Sequence, residues 1–135
     1  MKITTVIARF LLGLIFLVFG LNGFFHFIQM PPPTGTAAQF FGALYVSNYL
    51  AVIFLLQIIP AILLLLNRYV PLALTLLAPI IVNILLVHIL MVPSGIPLAI
   101  VVAVLWGLVF VSVRSAFGGL LQARAPVGGA AVRSA

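Results

Sequence analysis

The sequence predicts an all-α integral membrane protein, a bundle of four transmembrane helices, and three observations carry that expectation. Of 135 residues, 66% are hydrophobic and only 4% are charged, against roughly a quarter charged in soluble globular domains. The apolar residues form long runs separated by proline-rich or polar turns, and a crossing helix needs about 20 residues, so about four helices account for most of the chain. The basic residues, finally, all fall on one side of the topology that those runs imply. One membrane domain over residues 1–118 results, followed by a flexible, Gly/Ala/Ser-rich cytoplasmic tail at 119–135, with no room for a separate soluble catalytic domain.

The first span is expected at residues 4–29, after Lys2 and interrupted by Arg9, Asn22 and His26. Its apolar stretch exceeds the roughly 7–15 residues of a secretory signal and no small-x-small cleavage site precedes a polar domain, which favours a retained helix. Met30-Pro31-Pro32-Pro33 ends it, because proline lacks an amide donor and drives the preceding residue out of helical geometry. Residues 36–66 exceed one perpendicular span and divide at Ser47 and Asn48. A short interfacial or re-entrant helix carrying Phe40, Phe41 and Tyr45 precedes the second span, residues 48–66. Asn67-Arg68-Tyr69 is a polar turn, and Pro71 suits the first turn of the third span, residues 70–91, which Pro79 should kink. Val92-Pro93-Ser94-Gly95 turns the chain into the fourth span, residues 97–114.

With four spans, Lys2, Arg9, Arg68, Arg114, Arg124 and Arg133 share one side, and the uncharged connections after the first and third spans lie on the other. This is the positive-inside pattern and predicts both termini in the cytoplasm. The basic residues form no patch or stripe of the kind nucleic acid requires. There is no Asp, Glu or Cys. Carboxylate acid–base pairs, Ser-His-Asp triads, carboxylate-rich Mg²⁺ or Ca²⁺ sites and thiolate chemistry are therefore excluded within this chain, and no catalytic residue is assigned.

Polar side chains inside the bilayer carry whatever specific role the chain has. At about 100° per residue, Asn22, His26 and Gln29 fall within about 60° of one another as a stripe on the first helix, with Gly13 and Gly20 on roughly the opposite face for close helix packing. Gln57 sits mid-way along the second span, and Asn83 and His88 occupy the outer half of the third. Asn83 and His88 are about 140° apart on a regular helix, so one faces the bundle and the other the loop unless Pro79 alters the winding. Two readings stay open. The six side chains either hydrogen-bond between helices and set the register, at about 0.6–2 kcal/mol each, or line a pocket between the first three helices. That pocket would be roofed by residues 36–45, lined by Phe24, Phe27 and Phe41, and would hold an apolar ligand with a polar head, such as a quinone. His26 and His88, on different helices in one leaflet, also meet the requirement for bis-imidazole haem ligation, although a histidine near a membrane surface is more often interfacial. Trp106, mid-way along the fourth span, needs a partner for its indole N–H.

The runs Ala8-Arg9-Phe10-Leu11-Leu12-Gly13-Leu14-Ile15-Phe16 and Phe19-Gly20-Leu21-Asn22-Gly23-Phe24, the stretch containing Leu-Leu-Leu-Leu-Asn-Arg-Tyr-Val-Pro up to Pro71, and Ala78-Pro79-Ile80-Ile81-Val82-Asn83-Ile84 before His88 resemble the DoxX family of small bacterial membrane proteins. The resemblance covers residues 6–118. It implies four helices in the bacterial inner membrane and a loose association with membrane redox chemistry, without an established activity for most members. Relatives often carry a Glu where this chain has Gln57, which hydrogen-bonds but does not titrate, so a proton-handling role tied to that acid is in doubt here. Three functions follow as expectations: an accessory subunit packed against a larger membrane complex or a homo-oligomer, a quinone-binding redox subunit, or a small-solute carrier.

Overall fold

The computed structural model describes residues 2–125 and 127–128. Arg133 and the end of the expected tail lie outside the described residues. The described chain is all-helical: α1 (Lys2–Phe25), α2 (Gly35–Val46), α3 (Tyr49–Leu65), α4 (Val70–Leu90) and α5 (Ile96–Val113), with a 3-10 turn at Pro93–Gly95 and a 3-10 segment at Arg114–Leu121. Three stretches are long and apolar enough to cross a bilayer, Lys2–Phe25, Val70–Leu90 and Pro93–Leu121, and the bent pair α2 and α3 supplies a fourth. Seventeen residues of α3 rise about 25 Å, just short of an apolar core about 30 Å thick.

Contacts run in a ring, α1 with α3, α3 with α4, α4 with α5 and α5 with α1. Neighbours are antiparallel: Gly13 abuts Ala61, Leu64 and Leu65, whereas Gly20, further along α1, abuts the earlier residues Phe54, Gln57 and Ile58. The ring encloses Leu12, Phe16, Leu64, Leu74, Leu77 and Val109. The start of α1, the α3–α4 turn and the end of α5 consequently share one end of the bundle. That end holds Lys2, Arg9, Arg68 and Arg114, and the connections at the other end hold no charged residue.

Local chemistry explains the breaks. Between α2 and α3 the chain bends by 86° at Ser47 and Asn48. Asn48 takes a left-handed conformation at φ 62°, which asparagine tolerates better than most residues. Asn67, at φ 53°, closes α3: its N–H donates to Leu64 O and that of Arg68 to Leu63 O, the paired bonds of a Schellman ending. Pro71 and Pro97 occupy the first turns of α4 and α5, where the missing amide costs nothing.

Two boundaries differ from expectation. α1 stops at Phe25, not at residue 29, because His26 adopts φ 53° and the Asn22 side chain turns inward to accept Ile28 N–H at 2.7 Å. Beyond α5, Arg114–Leu121 is 3-10 helix, so residues 119–121 of the expected tail are wound.

Candidate functional site

The α1–α3 seam is the most extensive in the bundle, and glycine lets the two helices pack tightly there. A Cβ on Gly13 would lie 3.1 Å from Ala61 O, one on Gly20 2.7 Å from Ile58 Cγ1, and one on Gly23 would run into the Phe54 ring. The glycine face read from the sequence is therefore used inside the chain. Gly13 and Gly20 are both buried against α3.

Two of the six candidate polar residues lie in or beside this seam. Asn22 and Gln57 are only 8% and 9% exposed. The Asn22 carboxamide oxygen accepts from Ile28 N–H, and among the described residues no fully buried side-chain nitrogen or oxygen is left without a hydrogen-bond partner. Gln57 Cβ stands 3.4 Å from the position a Gly20 Cβ would take.

The other four are placed differently. His26 and Gln29 are exposed in the connection after α1, so the stripe they were expected to form with Asn22 does not exist: once His26 turns left-handed, helical periodicity no longer relates them. Asn83 is exposed and donates back to Pro79 O at 2.9 Å. His88 is half-buried; its Nδ1 lies 3.1 Å from Val92 O, and its ring fills the space a Gly95 side chain would need. No hydrogen bond links any two of the six. Of the expected roof and lining, α2 packs on α3 with Ala37 buried, Phe41 meets Phe40 edge-on and Phe27 is exposed. An open cleft of ≈ 340 Å³ does lie at that end, between Gly23, Phe24, Tyr45, Asn48 and Phe54, but none of the six lines it.

Trp106 has the partner its indole needed. Its Nε1–H donates to Leu74 O on α4 at 3.0 Å, and its ring stacks on Phe110 with centroids 5.1 Å apart.

Two features at the charged end escaped the sequence reading. The Arg9 guanidinium donates through one terminal nitrogen to Leu64 O, in the last turn of α3. A cleft of ≈ 480 Å³ opens between the start of α1, the α3–α4 turn and the end of α5, with Lys2, Thr5, Arg9, Asn67 and Ser112 among its walls and valines, including Val70 and Val109, forming the rest. The spacing of Lys2 and Arg9, about two helical turns, was the available signal, since residues seven apart share a helix face. No group of three or more His, Cys, Asp or Glu among the described residues could hold a metal ion. Neither a protein-family model nor a curated protein nor a solved structure matches this chain.

Proposed function

We propose that the chain is a DoxX-like, non-catalytic accessory subunit that packs through its lipid-facing surface against a larger membrane complex of the respiratory or redox kind. The observation that carries this reading is the state of α5. Only 17% of its most apolar stretch is enclosed, against 28% for α1 and 33% for α4. Its outward face presents Ile100, Val101, Val104, Leu108 and Val111, and a Cβ on Gly107 would meet nothing within 4 Å. A glycine notch in an apolar helix face lets a neighbouring helix approach closely, which is how association is gained where lipid removes the hydrophobic driving force. The internal polar groups agree with this role, since Asn83, His88, Trp106 and the Asn22 oxygen engage main-chain groups within the bundle. The DoxX resemblance and the one-sided charge support a bacterial inner membrane location with both termini cytoplasmic.

Native mass spectrometry of the protein released gently from its own membranes tests the reading. A stoichiometric complex with larger membrane polypeptides is the expected result, weakened by Gly107→Leu. A bare monomer carrying only lipid would sink it.

One observation favours a second reading. The Gln57 amide, a largely buried polar group half-way along the apolar α3, would offer a hydrogen bond to an apolar ligand with a carbonyl head, such as a quinone. Gln57→Leu should abolish quinone co-purification with the bundle intact; unchanged retention eliminates this reading.

A further inference from the structure

We propose that the cleft at the charged end is a binding site for the head group of an anionic phospholipid, with its phosphate held between Lys2 and Arg9.

The chain contains no Asp or Glu, so no side chain of its own can neutralise these cations. Arg9 spends one terminal nitrogen on Leu64 O and keeps its remaining donors, in a fork suited to phosphate oxygens. Lys2 stands on the same wall, and the Asn67 and Thr5 side chains add neutral donors. Ser112 Oγ already donates to Val109 O at 2.6 Å and is left as an acceptor for a glycerol or head-group hydroxyl. The first turn of α4 begins at Val70 in the cleft wall, and the positive end of that helix's dipole adds positive potential.

Depth argues for lipid over a soluble anion. Arg9 lies about 10 Å along α1 from Lys2 at 1.5 Å per residue, where a long basic side chain reaches back toward the head-group layer. The rest of the wall is valine, which suits the glycerol and first acyl carbons and offers a free phosphate nothing. Basic clefts between membrane helices take anionic head groups on these terms.

The test uses the full chain in detergent with phosphatidylglycerol or phosphatidylcholine titrated in, read by native mass spectrometry. One phosphatidylglycerol should be retained in preference to phosphatidylcholine, and an excess of inorganic phosphate should not displace it. Because Arg9 also ties α1 to α3, the deciding variants are Lys2→Gln and Ser112→Leu, which leave that tie in place. Lys2→Gln should weaken retention about fivefold, and Ser112→Leu should weaken it by narrowing the cleft without a change of charge. Arg68→Gln and Arg114→Gln remove a charge from the same end outside the cleft and should leave retention unchanged. Equal retention of the two lipids, an equal loss in Arg68→Gln and Lys2→Gln, or full displacement by inorganic phosphate would each overturn the proposal.

Discussion

The Arg9 guanidinium, on α1, donates to the main-chain oxygen of Leu64, on α3. Leu64 O belongs to the last turn of α3, at the negative end of the helix dipole, so a charged donor meets an acceptor in a favourable field. Arg9→Ala should lower the thermal unfolding midpoint in detergent, at a cost of about 1.5–3 kcal/mol, with Arg9→Lys recovering part of it. An unchanged midpoint would show that the contact contributes nothing.

Gly23 meets Phe54 so closely that a methyl group cannot enter without displacing the ring. Gly23→Ala should cost about 1–3 kcal/mol from overpacking, and Phe54→Ala in the same chain should recover part of that loss. Gly42, in α2, faces open space. There alanine should be neutral or stabilise by about 0.5–1 kcal/mol, as expected for glycine inside a helix. Equal melting of the Gly23 and Gly42 variants would contradict the seam.

Trp106 is the only tryptophan, so its fluorescence reports the α4–α5 contact without labelling. Emission should be blue-shifted in the folded bundle and move to the red on denaturation. Trp106→Phe keeps the ring but loses the bond to Leu74 O, at about 0.6–1.7 kcal/mol, the range measured for interhelical hydrogen bonds in a bundle. A tryptophan already emitting at the red limit in the folded protein would rule the contact out.

Asn22 shapes the end of α1 through its bond to Ile28 N–H. Asn22→Leu leaves that amide without its acceptor, and the connection at residues 26–34 should become more sensitive to limited proteolysis and faster in amide exchange while the bundle persists. Protection identical to the parent would mean that the backbone holds the turn unaided.

Much of this architecture is legible in the sequence because turn chemistry and span length are local properties. Pro71, Pro97 and Asn67 lie where helix ends require them, and Ser47 with Asn48 breaks a run too long for one crossing. The glycine face of α1 was legible as a contact face, but its partner depended on antiparallel register, which no single helix encodes. The polar site was less legible. Periodicity carries Asn22, His26 and Gln29 onto one stripe only while the helix continues, and a single left-handed residue ends that relation. Arg9 read as a topology signal alone, since its acceptor is a backbone oxygen with no side-chain signature.

The antiparallel ring also makes the molecule electrically lopsided. Lys2, Arg9, Arg68 and Arg114 gather at one end with no compensating carboxylate anywhere in the sequence. An energised membrane therefore distinguishes the two ways the bundle can sit in it: carrying four charges against 100 mV costs about 9 kcal/mol. Once inserted with those charges on the negative side, the chain is held in place by the membrane's own voltage, and de-energising the membrane removes that restraint without altering a single contact.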